Sequence, residues 1–336
     1  MTEVAACRRR AARRSRHGLL PTLLLAAAAL AASDEAGELL MRMNMAVEGL
    51  NYEGTLLHMA GGEPMLMRIV HRVDGDEVSE RITALDGPGR EILRNNDEVT
   101  CILPDERSVL VEPRDIGDRS QSPLQGSLPR SDSLDPALYR LRVEGRSSAA
   151  GKAARILTIE PRDLYRYGYR LWLDEATGMP LKAQLRGQDG GVVEQIMFTE
   201  IEIRDRIPPE AVKASLDTSG YRFERAIESS PPEQDNATPG WRADRLPPGF
   251  RRIAARARLA PGAKLPTEQF VYSDGLATVS VFVDMGPPAN GEREGLSRMG
   301  ATNAYTAIVG DYLVTAVGEV PPRTVEMMAT GMRRAE

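Results

Sequence analysis

The sequence predicts a mainly β fold of the α+β class, with a long antiparallel sheet followed by a smaller β domain. Short apolar runs recur at intervals of roughly 10 residues, separated by turn residues such as Gly61-Gly62, Asp74-Gly75 and Asp86-Gly87. Within several runs apolar and polar residues alternate, which is typical of a sheet with one buried face. The 336 residues are enough for about two domains.

Residues 1–32 have the pattern of a secretory signal peptide. Six arginines precede an apolar stretch from Leu19 to Ala31, and Ala29-Leu30-Ala31 fits the small-residue pattern of a cleavage site. The stretch is shorter than the ~20 apolar residues that span a bilayer. An uncleaved membrane anchor is the alternative, but the pattern favours an exported protein.

Charge and composition exclude several classes of function. The chain has a formal charge of −5, and residues 1–32 carry six arginines against one glutamate, so the remainder carries −10. A body this acidic is repelled by phosphate backbones, so no nucleic acid is expected as a partner. With 2 Cys and 3 His, there is little material for a metal or iron–sulfur site. We therefore predict no metal and no cofactor.

The sequence offers no catalytic constellation. His58 and His71 are the histidines that remain after cleavage, and their spacing matches no helical pair of metal ligands. The segment from Gly145 to Lys152 has the wrong spacing for a phosphate loop, and no serine sits in a nucleophile elbow. Cys101 lies in a strand-like run, where a buried small hydrophobic role is expected. These observations predict a protein that is not an enzyme.

One helix is predicted directly after the cleavage site. Ser33 and Asp34 are suitable N-terminal caps, and Gly49 or Asn51 can end the helix. Apolar residues follow at helical spacing and define one face: Ala36, Leu39, Leu40, Met43, Val47 and Leu50.

Strands dominate the rest of the chain. The first set is predicted at 52–59, 65–71, 78–85, 90–94, 99–103, 154–159, 167–174, 181–186 and 192–203, with a long loop at 113–136. Residues 224–240 are polar and rich in proline, which predicts a linker between domains at 33–223 and 241–336. Further strands are predicted at 250–258, 269–272, 276–284 and 312–318, before a short helix that begins after Pro321-Pro322.

Alternation along the strands predicts an apolar face that binds lipid acyl chains. We expect its residues to line the concave side of a barrel: Met65, Met67, Ile69, Val78, Ile82, Leu171, Leu185 and Met197. Two interpretations remain open at this point. The face either packs against the protein's own helices or lines a hydrophobic cavity that is open to lipid.

Several motifs, taken in order, resemble one known family. They include Asp86-Gly87-Pro88-Gly89-Arg90-Glu91, the run from Tyr169 to Asp174 that leads into Gly178-Met179-Pro180-Leu181, Leu246-Pro247-Pro248-Gly249-Phe250 and Tyr272-Ser273-Asp274-Gly275-Leu276-Ala277. This ordered set is similar to the MucB/RseB family, periplasmic regulators of the sigma-E envelope-stress pathway. The resemblance covers essentially the whole chain after the signal peptide.

The resemblance implies an architecture and a function. The fold would be an N-terminal half-open β-barrel of the lipoprotein-carrier type with helices, plus a smaller C-terminal partner-binding domain. The partner would be the periplasmic domain of a membrane-anchored anti-sigma factor of RseA/MucA type, which the protein shields from proteolysis. Lipid, lipopolysaccharide or lipoprotein acyl chains would bind and trigger release. The alternative is a periplasmic lipid or lipoprotein carrier, and a homodimer is left open.

Overall fold

The structure, a computed structural model, describes residues 20–114, 122–225, 240–258, 267–284 and 294–335. Residues 1–19 of the predicted signal peptide and residues 226–239 of the predicted linker lie outside these ranges. Within the described ranges, no helix combines the length and the apolar character needed to cross a membrane.

The first domain consists of a long helix, a set of strands and one short helix. The chain begins with α1 (Leu20–Gly49). The next elements are β1 (Asn51–Ala60), β2 (Glu63–Asp74), β3 (Glu77–Ala84), β4 (Glu91–Arg94), β5 (Glu98–Leu103), β6 (Ser108–Pro113) and α2 (Pro123–Gly126). The domain is completed by β7 (Tyr139–Ala149), β8 (Lys152–Pro161), β9 (Gly168–Asp174), β10 (Pro180–Arg186), β11 (Val192–Arg204) and β12 (Arg222–Arg225).

All strands of this domain belong to one 12-stranded sheet. Their order is β12-β6-β5-β4-β3-β2-β1-β11-β10-β9-β8-β7. Neighbouring strands are antiparallel, except that β12 runs parallel to β6. The pairing of β1 with β11, in which Tyr52 faces Ile203, joins the two meanders into a single sheet. Because β12 and β7 each have one neighbour, the sheet is open at both edges.

Helix α1 covers one face of this sheet. Ala36, Leu40, Met43 and Val47 recur at helical spacing and are almost fully buried against strand residues. The predicted end at Gly49 is confirmed, but the predicted start at Ser33 is wrong, because the helix already begins at Leu20. The leucine- and alanine-rich stretch before Ser33 has a high helix propensity, so the helix continues through the expected cap.

The second domain has its own antiparallel sheet. Its elements are β13 (Trp241–Ala243), β14 (Arg251–Arg258), β15 (Thr267–Ser273), β16 (Thr278–Asp284), β17 (Gly295–Met299), β18 (Thr302–Val309), β19 (Tyr312–Gly318), α3 (Pro322–Thr330) and β20 (Met332–Arg334). Six strands pair in the order β14-β15-β16-β19-β18-β17, and β13 pairs with β20. Val325, Met328 and Ala329 of α3 pack into the core, as their spacing predicts.

The predicted fold class is confirmed: a large open antiparallel sheet is followed by a separate, smaller antiparallel sheet. The sequence prediction missed β6, β7 and β12 of the large sheet and β13, β17, β18 and β20 of the second domain. In β7, an edge strand, arginines and a glutamate leave few apolar positions. It also assigned 113–136 wholly to a loop, whereas α2 and a 3-10 turn at Ser131–Ser133 lie within it.

Candidate functional site

Most of the predicted apolar face lies beneath α1. Met67, Ile69, Ile82, Leu171 and Leu185 each expose 8% or less of their surface. The strand register brings them to one side, because Ile69 pairs with Ile82 and Leu171 pairs with Ala183, two residues from Leu185. Four of the five belong to the same core cluster as the α1 residues, with Leu185 outside it.

The remaining three predicted residues lie elsewhere. Met65 is 49% exposed, and Val78 is half-buried near the start of β3. The prediction for Met197 is wrong, because its neighbours Ile196 and Phe198 point into the core and Met197 therefore faces the opposite side of the sheet. Alternation could not decide this case, since three apolar residues follow one another in β11.

The helix-covered face is a closed core along most of its length. Met67, Ile69 and Leu171 are almost fully buried and share one core cluster with the buried side chains of α1. Of the two interpretations left open by the sequence, packing against the protein's own helix is the arrangement in this structure. Among the eight residues, Leu185 borders two small cavities at the domain junction.

A buried polar group interrupts this apolar face and holds α2 over it. The Arg94 guanidinium lies 3.3 Å from the Glu80 carboxylate and donates to Gln125 Oε1 of α2 at 3.2 Å. His71 faces Glu80 across the strands and is fully buried. Burial, opposed by the Glu80 charge, lowers the pKa of His71, so its imidazole stays neutral near pH 7. The group fixes α2 through charge-assisted hydrogen bonds.

The two domains meet at a buried ion pair. Arg166 of the first domain lies 2.9 Å from the Asp274 carboxylate of the second, and neither side chain is exposed. Tyr139 also donates its hydroxyl to Asp274, at 2.8 Å. The Arg166 guanidinium sits over the rings of Tyr139 and Phe250, at 5.5 and 5.3 Å from their centroids. This junction fixes the domains relative to each other through charged and aromatic groups.

Further hydrogen bonds extend the junction on both sides of this pair. Asn303 donates to the Tyr167 hydroxyl at 3.0 Å, and Thr324 of α3 donates to the Tyr165 carbonyl at 2.7 Å. The backbones also approach closely: a Cβ on Gly275, whose φ is +104°, would lie 2.4 Å from the Ser133 carbonyl oxygen. Only glycine fits such a position, because it combines a left-handed backbone with a direct contact.

Carboxylates from both domains face each other beside the junction. Glu194 of β11 accepts from His58 at 2.8 Å and from Ser127 at 3.2 Å. Glu319, which follows β19, borders the same small cavity as Glu194. Burial, and then the neighbouring Glu194 carboxylate, raise the pKa of Glu319. The proton on Glu319 is therefore coupled to domain contact.

Cavities at the junction are formed by both domains. One of about 160 Å³ lies among the rings of Tyr139, Tyr167 and Tyr169 on one side and Leu276 to Thr278 on the other. A larger one, of about 650 Å³, opens between the turn that joins β10 to β11 and the start of α3. Sequence analysis did not identify these residues as a site. The signal that could have identified them is the group of three tyrosines from Tyr165 to Tyr169, in a chain with only 5% aromatic residues.

Two features of the described residues concern groups that could react with a metal ion or a substrate. Within the described ranges, no group of three or more His, Cys, Asp or Glu side chains is placed to hold a metal ion. Cys101 is half-buried, and burial raises the pKa of its thiol, which disfavours the reactive thiolate.

Comparison with known proteins accounts for both domains. Residues 35–216 match the model of the MucB/RseB N-terminal domain, and residues 235–333 match the model of the MucB/RseB C-terminal domain. The sigma factor AlgU regulatory protein MucB of Pseudomonas aeruginosa is 31% identical over 322 residues, which cover 94% of this chain and 96% of MucB. The sigma-E factor regulatory protein RseB of Escherichia coli is 26% identical over 304 residues, covering 90% and 92%.

A solved structure extends the similarity from sequence to fold. The crystal structure of MucB in complex with MucA(peri) superposes with a TM-score of 0.67 at 29% identity, covering 90% of this chain and 99% of that one. Both domains thus match in order, in sequence and in fold. The chain belongs to the MucB/RseB family.

Proposed function

We propose that the protein is a negative regulator of a sigma-E-type envelope-stress response. It binds the periplasmic domain of a membrane-anchored anti-sigma factor of RseA/MucA type and shields that factor from proteolysis. Lipid or lipopolysaccharide releases it. The observation that carries the proposal is the match of both domains, over nearly the full chain, to MucB, which has been crystallised with MucA(peri).

The proposal places the protein in the periplasm after removal of residues 1–32. It also keeps the boundaries expected from the sequence, with domains at 33–223 and 241–336 joined by the linker at 224–240. The pairing of β12 with β6 in the first sheet and the burial of Trp241 in the second core support a boundary in this region. N-terminal sequencing of the exported protein tests the removal of residues 1–32, and an intact Met1 would contradict it.

The protein acts in this scheme by binding and not by catalysis. The names of the relatives describe regulatory proteins, which supports this assignment. The Arg166–Asp274 pair joins the two domains into the one unit that binds the partner segment in this proposal. A lipid or lipoprotein carrier, the alternative function, would need the first domain alone.

A binding experiment with two readouts tests the proposal. Purified residues 33–336 are titrated calorimetrically with the periplasmic segment of the MucA/RseA-type anti-sigma factor from the same organism. A saturable complex and slower proteolysis of the bound segment are expected. Absence of a complex, combined with transfer of lipoproteins between vesicles and the protein, would establish the carrier function instead.

A further inference from the structure

The larger junction cavity has the size of a ligand site and walls from both domains. It encloses about 650 Å³, within the range typical of small-molecule sites. The first domain contributes Tyr167 and the β10–β11 turn, and the second contributes the end of β17 and the start of α3. The charged residues of its lining are Asp189, Arg298 and Arg323.

Two arginines give this cavity a positive wall. Arg323 is exposed in the first turn of α3 and has no hydrogen bond or ion pair with any described residue. A cation at this end of a helix opposes the helix dipole, so its position there has an electrostatic cost. Arg298 donates through Nε to Asn303 at 3.0 Å, which leaves its terminal nitrogens without a described partner.

The cavity wall carries one negative charge. Asp189 is the single carboxylate among the lining residues. Its Oδ1 accepts the backbone N–H of Gly191 at 2.9 Å and so closes the β10–β11 turn. Two guanidinium groups against one carboxylate leave the wall with a net positive charge, and neither arginine has an ion pair with a described residue, so the wall attracts an anionic group from outside the protein.

Apart from Gln188 and the Tyr167 hydroxyl, the remaining lining side chains are apolar. Val192 is 51% exposed although it is a large aliphatic residue. Val193, Pro322 and the ring of Tyr167 continue this surface into the cavity. A cavity with two cations at one side and an aliphatic wall at the other is complementary to an amphiphile with an anionic head.

We propose that this cavity binds an anionic lipid, with its phosphate between Arg298 and Arg323 and an acyl chain along Val192, Val193 and Pro322. The proposal rests on the proposed function, in which a lipid is the signal, and it assigns that signal to the domain junction and not to the helix-covered face. Because both domains form the walls, a bound lipid stabilises the docked arrangement of the domains.

Calorimetric titration with dihexanoyl phosphatidic acid, kept below its micellar concentration, tests the site. The double variant Arg298→Ala/Arg323→Ala is compared with Arg206→Ala, which removes an exposed arginine outside the cavity. We expect the double variant to bind at least about tenfold more weakly, since two charge-assisted hydrogen-bonding groups are lost. Arg206→Ala should bind like the wild type.

Two further arms separate the head group from the acyl chain. Val192→Asp changes an exposed residue, so the fold is retained, and it should weaken lipid binding because a carboxylate lies on the acyl path. Inorganic phosphate and dihexanoyl phosphatidylcholine should bind at least about tenfold more weakly than phosphatidic acid.

Several outcomes would overturn the proposal. They are no saturable binding by the wild type, equal affinity in the wild type and the double variant, and phosphate binding as tightly as the lipid. The proposed function is judged separately, by titration with the anti-sigma segment in the absence of lipid. A protein that binds the segment but not the lipid keeps its function and loses this site.

Discussion

The helix-covered face of the large sheet and the domain junction bury their side chains by different means. In the core beneath the helix-covered face, apolar residues such as Met67 and Leu171 share one buried cluster with Leu40 and Met43 of α1. At the junction, Arg166, Asp274 and Tyr139 are buried as hydrogen-bonded and charged groups. An apolar core is disrupted by a buried charge but tolerates exchanges between apolar residues of similar volume. A buried ion pair, in contrast, is sensitive to the loss of either partner. The first region is thus suited to hold one domain together, and the second to fix the position of two domains.

The largest effect is expected from a charge placed under α1. Met67→Glu buries a carboxylate with no partner at a position that is 5% exposed, and should unfold the first domain by removing several kcal/mol of stability. Circular dichroism and thermal unfolding measure the loss. Met65→Glu, on the same strand but 49% exposed, serves as the control and should remain folded.

The same variant tests the lipid face predicted from the sequence. If Met67→Glu stays folded and loses affinity for dihexanoyl phosphatidic acid, the helix-covered face binds lipid and α1 must move aside. If it stays folded with unchanged lipid affinity, that face is neither a closed core nor a lipid site.

A smaller effect, confined to the junction, is expected from Asp274→Asn. The amide keeps the oxygen that accepts from the Ala277 N–H, but it removes the charge that faces Arg166. Arg166 retains Asp163 at 2.9 Å, so we expect docking of the domains to weaken by roughly 2–4 kcal/mol while each domain stays folded. Calorimetry should then resolve two unfolding transitions, and small-angle scattering should show a larger radius of gyration.

A surface ion pair provides the matched control for this substitution. Asp244 lies 3.2 Å from Arg242, and both side chains are exposed. Asp244→Asn should change stability by about 1 kcal/mol or less, because solvent screens the pair. Equal effects of the two variants would show that the buried pair does not hold the junction.

The junction should also respond to pH through Glu319. The pKa of Glu319 is raised at the junction, so docking of the domains is accompanied by uptake of a proton. Docking is therefore strongest at acidic pH. It weakens as pH rises through the pKa that Glu319 has in the docked state. The groups that face it are Glu194, His58, Tyr167 and Tyr169. Scattering or calorimetry across pH 4 to 8, a range around the usual carboxyl and imidazole pKa values, measures the change.

Glu319→Gln should flatten this pH dependence and strengthen docking at neutral pH. The gain in docking free energy should be smaller than the loss caused by Asp274→Asn. Glu326→Gln, an exposed position on α3, is the control and should leave the profile unchanged. A profile that is the same in the wild type and Glu319→Gln would assign the titration to another group.

The mildest intervention is limited proteolysis. We expect the first cut of the wild type near residues 224 to 240, where the polar, proline-rich composition leaves little to bury. Two resistant fragments should result, and Asp274→Asn should be cut faster because its junction is weaker. A first cut inside β11 (Val192–Arg204) would contradict the proposed domain boundary.

Local sequence pattern determined much of this protein. The turn residues and alternation placed most strands of the large sheet, and helical spacing identified the buried faces of α1 and α3. These features depend on residues that are neighbours in the chain, so their period is visible without the fold. The ordered motifs also sufficed to identify the family.

The tertiary structure decided what the strands and charges face. Ile196, Met197 and Phe198 are all apolar, so only the pairing with β1 and β10 shows that Met197 points away from the core. Arg166 and Asp274 look like ordinary solvated charges in the sequence, and their burial follows from the docking of two domains. Alternation between neighbouring residues shows which side of a strand is apolar. A contact between residues far apart in the chain depends on how the folded sheets pack against each other.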